Sequence, residues 1–360
     1  MKLAQLQIVL IGMFAAVLHS TAVPPVLANE GDPTHGFFEV LKRNFANWDL
    51  NHDGTLTGDE IAEDLQDPNI KGNDAAALAS LKVQERLDVR KEKHFDNFTM
   101  SEIDQLELAF SKKEKDATSL VSFYKGAHNK LHSQKCLDLF RFSTPDVLGI
   151  KQGRNSDCYF LASVASMAQA RPQEFMSLYQ KNNDGTYTVK FHNCPPITVH
   201  SPTPAEIATY PDDSNDGIWL NVIEKAFGKF LDVSQNKPMV EPLDAVTIHG
   251  GRAQEVISCI TGHRSKYFKF DDMDVRERAS ETIANAVAQH KVIVTNVPGH
   301  ELCILNYDRK SNQVLIWNPW GTSRMYGDGV DVKMTYGCFW LPLSEFLEKF
   351  VGMLIEQTDS

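Results

Sequence analysis

The spacing of hydrophobic residues changes along the chain. Between residues 35 and 110 the apolar positions recur at helical spacing, as in GFFEVLKRNFANW. From Cys136 onward, segments such as TYTVKF alternate like half-buried strands and stand next to an amphipathic helical segment, DGIWLNVIEKAFGKF. The pattern therefore predicts an α+β protein, in which an all-helical N-terminal region precedes a region of mixed helices and strands.

Turn signals and polar stretches divide these regions further. SKKEKDATS is polar and charged, so a linker is predicted over residues 111–135. Farther on, KVIVTNV, HELCILNYD and NQVLIWN are predicted to be successive strands separated by turns. The predicted sheet therefore lies in the last third of the chain.

The N-terminus has the pattern of a secretory signal. An almost unbroken apolar run from Leu6 to Leu18 follows a single lysine, and Val26-Leu27-Ala28 resembles a cleavage site. This predicts a signal peptide over residues 1–28 and a secreted or periplasmic protein. The alternative is an uncleaved anchor, but the run is short for a span of roughly 20 residues. After cleavage we expect no stable membrane insertion.

Composition narrows the classes of partner. The chain has 360 residues and a formal net charge of -11, which argues against a nucleic-acid-binding protein because such a protein needs a basic face. The sequence does not predict the oligomeric state.

The six cysteines favour disulfides in an oxidising compartment, although the sequence does not determine how they pair. The chain contains no CxxC pair, so the cysteine spacing does not suggest a zinc site.

The segment DLNHDGTLTGDE, residues 49–60, fits the twelve-residue calcium loop of an EF-hand. Gly54 stands at the sixth position, where the chain turns sharply, and apolar helices are predicted on both sides. The oxygen ligands would be Asp49, Asn51, Asp53, the Thr55 carbonyl, Thr57 through a water molecule, and Glu60. The alternative is a solvated, Asx-rich helix cap. Outside the cell a tight calcium site stays filled, which favours a structural clip over a switch.

EF-hands usually occur in pairs, and NFTMSEI (residues 97–103) aligns with TLTGDEI (residues 55–61). In this alignment Phe98 matches Leu56, so the two loops are expected to pair at these residues. The positions of the missing ligands hold Lys91, Lys93 and Phe95, with Asp96 where glycine belongs. We therefore expect an EF-hand module over residues 35–110 with one calcium site and one metal-free partner.

Cys158 is the candidate nucleophile, because it begins a predicted helix whose dipole and free N–H groups favour a thiolate. Gln152 stands six residues upstream and is a candidate oxyanion donor beside the Cys158 N–H. His300 opens a predicted strand and is the candidate base. Asn318 follows the next strand and can orient the histidine, with Trp320 placed to shield that bond from water.

The order Cys…His…Asn resembles that of papain-type cysteine peptidases, and the details resemble the calpain branch. QGRNSDCYFLAS is similar to the calpain pattern QGxxGDCWFLAA, and DGIWLNVIEKAFGKF contains the calpain helix core W-x-x-x-x-E-K-A. IHGGRAQEVISCITG resembles the calpain segment that leads to the second subdomain, and GCFWLPLSEFLEKF resembles the closing segment. The similarity runs in one collinear order over residues 136–352.

This resemblance implies a calpain-like protease core of two subdomains: a mainly helical half over residues 136–250 with Cys158, and a β-rich half over residues 251–360 with His300 and Asn318. It implies an endopeptidase that cleaves protein or peptide substrates in the cleft between the halves. With the predicted signal peptide, this enzyme would be exported. Together with the EF-hand resemblance, the calpain resemblance suggests a calcium-dependent type of enzyme, with Ca²⁺ as the bound ion.

Three positions depart from the calpain pattern. Ser156 replaces a glycine and Tyr159 replaces a tryptophan, which raises the question of whether the cleft is shaped for a peptide. Gly149 stands where calpains have a calcium-binding aspartate, so calcium activation through the core itself is not expected. The alternatives are a catalytically silent calpain-fold protein that binds calcium or partners, a transglutaminase-like acyl transferase, and a buried or disulfide-bonded role for Cys158.

Overall fold

The computed structural model describes residues 36–91, 98–134, 136–210, 216–235, 241–248, 250–321 and 336–358, with side chains 233–235 excepted. These residues all belong to one compact unit, Pro33–Ser360. The predicted signal peptide over residues 1–28 lies outside the described residues, as do Lys93, Phe95 and Asp96 of the second loop.

Helices account for the N-terminal region of the described chain. They are α1 (Phe37–Trp48), α2 (Gly58–Asp64), α3 (Gly72–Arg90), α4 (Met100–Ser111) and α5 (Lys115–Ser133). Helices α2 and α4 each begin with a capping box, in which the N-cap threonine and the glutamate three residues later satisfy each other's backbone N–H groups. Their apolar faces form one core around Phe37, Leu41 and Tyr124.

A helix stands where the sequence suggested a linker. Residues 111–135 contain α5, whose Leu120, Val121 and Tyr124 are buried in the N-terminal core. Only the first part of this stretch is strongly polar, and after it the apolar residues recur every three or four positions, which is a helical pattern. The linker prediction over residues 111–135 was therefore wrong.

The middle of the chain forms a mainly helical half. It comprises α6 (Cys158–Ala170), α7 (Pro172–Ser177), α8 (Pro204–Thr209), α9 (Trp219–Gln235), α10 (Pro242–Thr247), α11 (Ala253–Thr261) and the strands β1 (Tyr179–Lys181), β2 (Tyr187–Val189) and β3 (Ile197–Val199). The three strands form an antiparallel sheet in the order β1-β2-β3. Helix α6 is apolar on all sides and lies at the centre of this core, with Phe160, Leu161 and Val164 fully buried.

The last part of the chain forms a six-stranded antiparallel sheet in the order β4-β9-β5-β6-β7-β8. Its strands are β4 (Arg264–Lys269), β5 (Ile293–Val297), β6 (His300–Asp308), β7 (Gln313–Trp317), β8 (Cys338–Pro342) and β9 (Gly352–Gln357), and helices α12 (Met273–Ala288) and α13 (Leu343–Lys349) accompany them. Strands β5, β6 and β7 confirm the three consecutive strands predicted from the sequence.

The boundary between the two halves lies later than the sequence suggested. Helix α11 falls within the predicted second subdomain, residues 251–360, but its Val256, Ile257 and Ile260 belong to the same core as α6. A separate apolar core begins only after α11, around α12 and the sheet. The half that carries Cys158 therefore extends to about Thr261.

Helix α3 connects the N-terminal helices to the half that carries Cys158. Its Arg86 donates from Nε to Asp244 Oδ1 (2.7 Å) and forms an ion pair with Glu241, while Lys82 Nζ lies 2.6 Å from Asp244 Oδ2. The Lys82 and Arg86 side chains are 1 and 2% exposed, so these are buried ion pairs. Removing one partner of such a pair leaves an uncompensated buried charge, so the two regions depend on each other.

Candidate active site

Cys158 is the first residue of α6, so the predicted helix start is confirmed. The preceding turn is shaped by Gly153, whose φ of +67° lies in the left-handed region. Gln152 is buried, and its backbone N–H donates to the Pro319 carbonyl (2.8 Å), which ties this turn to the segment after β7. Its side-chain Nε2 donates to the Asn155 carbonyl (2.8 Å) and keeps a second N–H.

His300 and Asn318 form a direct hydrogen bond. His300 is the first residue of β6 and follows Gly299, whose φ is +75°; Asn318 directly follows β7, the neighbouring strand. His300 Nε2 donates to Asn318 Oδ1 over 2.8 Å, and both side chains are buried. Because an amide oxygen only accepts, the proton lies on Nε2 and Nδ1 is left as the basic nitrogen.

Trp320 covers this pair, as the sequence predicted. Its ring stacks on the His300 ring with centroids 4.0 Å apart and an interplanar angle of 21°. Its backbone N–H also donates to Asn318 Oδ1 (3.0 Å), so the Asn318 oxygen accepts two hydrogen bonds. These contacts fix the orientation of the imidazole and exclude water from one of its faces.

Cys158 and His300 line the same cavity, whose volume is about 680 Å³. Gln152 and Trp320 lie on its wall as well, whereas Asn318 stands behind His300. The Glu301 backbone N–H faces the Cys158 thiol as a hydrogen-bond donor. The structure thus brings the four residues singled out from the sequence together at one cleft.

Burial acts on both members of the Cys158–His300 pair. It raises the pKa of the Cys158 thiol to about 11, and the charges of Asp157 and Glu301 act in the same direction. It lowers the pKa of His300 to about 4, an effect that the Asn318 hydrogen bond offsets only in part. The low thiol pKa expected from the helix dipole is therefore not what the structure gives, because desolvation favours the uncharged form of each group.

The serine at position 156 is accommodated without backbone strain. Its φ is not positive, so the position does not require the glycine of the calpain pattern. Its hydroxyl accepts a hydrogen bond from the Arg90 guanidinium, which also donates to the Arg154 carbonyl. The residue that departs from the pattern is thus the point at which α3 contacts the turn before Cys158.

Tyr159 is also accommodated. It is buried, and its hydroxyl donates to the Val246 carbonyl (3.2 Å). Its ring lies directly against Gly251, where an added Cβ would come within 2.4 Å of the ring. The absence of a side chain at position 251 therefore provides the space that the tyrosine occupies.

Two carboxyl groups behind Cys158 were not predicted from the sequence. Asp157 and Glu224 are both fully buried, and Arg86 is the cation whose charge acts on each of them. Burial, together with the charge of Asp157, raises the pKa of Glu224 well above its usual range. Glu224 is the glutamate of the calpain-like segment W-x-x-x-x-E-K-A. The sequence of that segment does not indicate that Glu224 lies against Asp157.

The segment of the predicted calcium loop pairs with the segment that was predicted to be its metal-free partner. Leu56 and Phe98 form an antiparallel bridge, with N–H···O distances of 2.7 and 3.0 Å in the two directions. Within the first loop, Asp49 accepts hydrogen bonds from the N–H groups of Asp53 (3.1 Å) and Gly54 (2.8 Å). Glu60 Oε1 accepts from the Asn51 N–H (3.2 Å), so the first and last residues of the loop both turn inward.

Across the part of the chain that the structure describes, no three His, Cys, Asp or Glu side chains are close enough together to hold a metal ion. The six cysteines all lie in that part and none forms a disulfide there. None of the described helices is long and apolar enough to span a membrane.

Comparison with known families identifies the protease region. Residues 128–356 match the family model for the calpain family cysteine protease, so the chain belongs to this family. Membership implies cysteine protease activity on protein substrates. A search of curated proteins gave no match.

Proposed function

We propose that this chain is a cysteine endopeptidase that uses Cys158, His300 and Asn318 as its triad. The observation that carries the proposal is the buried His300–Asn318 hydrogen bond under Trp320, which leaves Nδ1 of His300 as the base in the cavity shared with Cys158. A nucleophile, an oriented base and a third group that orients the base are what acyl transfer by a thiol requires.

In the proposed reaction the Cys158 sulfur attacks the carbonyl carbon of the scissile peptide bond, and His300 Nδ1 accepts the thiol proton. The C–N bond then breaks as the imidazolium donates that proton to the leaving amine, and an acyl thioester forms. Water, deprotonated by His300, hydrolyses the thioester and restores the thiol. Gln152 Nε2–H and the Cys158 backbone N–H are the proposed donors to the oxyanion.

The pKa values of Cys158 and His300 indicate at which step the thiol proton moves to the imidazole. Because burial favours the neutral thiol and the neutral imidazole, the resting pair holds no separated charge. Proton transfer to His300 is therefore expected to accompany the attack on the carbonyl, as in general-base catalysis. The Asn318 oxygen then stabilises the imidazolium that forms.

Thiol labelling separates this function from a catalytically silent calpain-fold protein. The reduced protein is treated with iodoacetamide or a thiol-reactive epoxide at mildly acidic pH, and the modified cysteine is mapped. We expect selective modification of Cys158 that is lost in His300→Ala, together with casein cleavage that is lost in Cys158→Ala. No preference for Cys158 over Cys136 and Cys259, with no casein cleavage, would indicate the silent protein.

We also propose that the loop over residues 49–60 binds one Ca²⁺. All of its candidate ligands are hard oxygen donors, which is the donor set that calcium prefers. The carboxylates of Asp49, Asp53 and Glu60 are not clustered closely enough in the structure to hold a metal ion, so calcium binding would draw them together. Although burial opposes it, the hydrogen bonds from Thr57 and Asn51 keep the pKa of Glu60 below its usual value, so this carboxylate is charged. Within the loop, Gly54 has a φ of +84°, as the sharp turn at the sixth position requires.

Calorimetry tests the calcium proposal independently of activity. Titration of the full chain with Ca²⁺ should show one bound ion, and Glu60→Gln should remove it. Glu102→Gln, the matched change in the second loop, should leave the stoichiometry at one. Two bound ions in the unaltered chain, or none, would contradict the proposal.

Export is proposed from the sequence of residues 1–28 alone. The test is N-terminal sequencing of the protein from its native source. A mature N-terminus just after Ala28 supports cleavage and release, whereas an intact N-terminus in a membrane fraction supports the anchored alternative.

A further inference from the structure

A second, smaller cavity lies beside the one that holds Cys158 and His300. Its volume is about 170 Å³, and the two cavities share Asn296 and Glu301 on their walls. Its other lining residues are Gln254, Tyr267, Val294, Thr295 and Leu354. A side chain of a peptide bound in the larger cavity could therefore enter the smaller one.

The strand register explains how the apolar part of this pocket is formed. Tyr267 of β4 pairs with Leu354 of β9, and Leu354 pairs in turn with Val294 of β5. Residues paired in neighbouring strands point to the same face of a sheet, so these three side chains form a continuous apolar row. Leu354 and Val294 are 5 and 1% exposed, so they form a buried apolar floor, whereas Tyr267 is 41% exposed and stands at the edge of the pocket.

Glu301 stands two positions along from this row. It pairs with Asn296 of β5, and Asn296 is two residues beyond Val294, so both lie on the same face of the sheet as the floor. The pocket therefore combines an apolar floor with a carboxylate and an amide at one end.

The Glu301 carboxylate has no counter-charge among the described residues. Its Oε2 is buried without a hydrogen-bond partner, and within the described ranges no lysine, arginine or histidine forms an ion pair with it. Burial raises its pKa to about 7. A buried polar atom in this state costs free energy unless a ligand satisfies it.

We infer that Glu301 makes this pocket a binding site for a lysine or arginine side chain of the substrate, next to the scissile bond. The inference rests on the proposed peptidase function. Long basic side chains carry an apolar stem and a cationic end, which match the Tyr267–Leu354–Val294 row and the Glu301 carboxylate. A bound cation would also offset the negative charge that Glu301 directs at the Cys158 thiol.

A peptide library tests the specificity. Each position on either side of the cleaved bond is varied in turn, and kcat/KM is compared for lysine, arginine, leucine and glutamate. We expect one position to prefer basic residues in the full chain. Glu301→Gln should lower the ratio of basic to leucine cleavage roughly 10- to 100-fold, as expected for loss of a hydrogen bond to a charged group.

Two further variants make the result decisive. Glu301→Lys should reverse the preference at that position toward glutamate, whereas Glu281→Gln, an exposed glutamate on α12, should leave the profile unchanged. Iodoacetamide labelling of Cys158 in each variant reports separately on the nucleophile. Cleavage with labelling but with no basic preference, or a preference that survives Glu301→Gln, would overturn the pocket assignment alone. Absence of both labelling and cleavage would overturn the peptidase function and this inference with it.

Discussion

The wall of the cleft that carries Cys158 and the wall that carries His300 are held in place by different interactions. Behind Cys158 lie the buried carboxyl groups of Asp157 and Glu224, and the charge of the buried Arg86 of α3 acts on both. Behind His300 lies the six-stranded sheet, whose side chains form an apolar core with α12 and α13.

The two walls differ in whether their stability depends on the N-terminal helices. The strands around His300 satisfy one another's backbone groups, and one face of their sheet has its core within residues 270–355. The other face packs into the core around α6, and the buried Glu356 of β9 pairs with Arg171. The half that carries Cys158 depends on Lys82 and Arg86, which belong to the N-terminal helices, to balance Glu241 and Asp244. We therefore expect Cys158, the proposed nucleophile, to be the part of the site that is most sensitive to changes in the N-terminal helices.

The largest expected effect comes from removing the base. His300→Ala should lower kcat by about 10⁴- to 10⁶-fold, the range seen when a member of a catalytic triad is removed. Because the sheet does not depend on this side chain, the far-UV circular dichroism spectrum should stay unchanged. A variant that keeps more than a tenth of the activity would rule out His300 as the base.

The next largest effect should come from Arg86→Met. This change leaves Glu241 and Asp244 with one cation fewer in a buried site, so the free energy of unfolding should fall by about 3–5 kcal/mol. The control on the other wall is Ile283→Val in the sheet core, for which about 0.5–1.5 kcal/mol is expected. Urea denaturation measures both, and equal effects would remove the distinction between the walls.

The pH dependence of kcat/KM reports on the burial of His300. The base must be neutral to accept the thiol proton, so activity should fall as the pH drops through the His300 pKa of about 4. Below that value the rate should drop about tenfold per pH unit. The charged or titratable side chains facing the pair are Asp157 and Glu301. An acid limb near pH 6.5 would instead indicate a solvated imidazole.

The smallest expected effect concerns the contact between α3 and the turn before Cys158. Arg90→Ala removes the donor to the Ser156 hydroxyl and should slow Cys158 labelling modestly, with a coupling energy of about 0.5–1.5 kcal/mol. Ser156→Gly restores the residue of the calpain pattern and removes the acceptor, so the double variant should resemble either single one. Additive effects would show that the two side chains act separately.

Local patterns in the sequence predicted the elements well but not the contacts between distant elements. The start of α6 at Cys158, the start of β6 at His300 and the Leu56–Phe98 bridge all follow from short stretches whose capping and alternation determine the outcome. Helix α5 was missed because its first residues are polar. When charged residues precede it, a segment whose apolar residues have helical spacing is easily mistaken for part of a linker.

The interactions between distant residues had no such signal. Arg90 and Ser156 are separated by 66 positions, and Arg86 and Asp244 by 158. From the sequence, Ser156 in place of glycine raised the question of whether the cleft is correctly shaped. No neighbouring residue in the sequence indicates that the Ser156 hydroxyl binds Arg90. The same holds for Glu301, whose significance depends on the absence of a counter-charge among the residues that the structure describes.

The buried cations of α3 bear on how such an enzyme could be processed. In a zymogen the leading segment is discarded on maturation, and the remaining chain must be stable without it. Here the loss of residues before a cut after α5 would leave Asp244 and Glu241 without Lys82 and Arg86, the cations that neutralise them. We therefore expect the N-terminal helices to remain as a permanent subunit of the mature protein even when the chain is nicked.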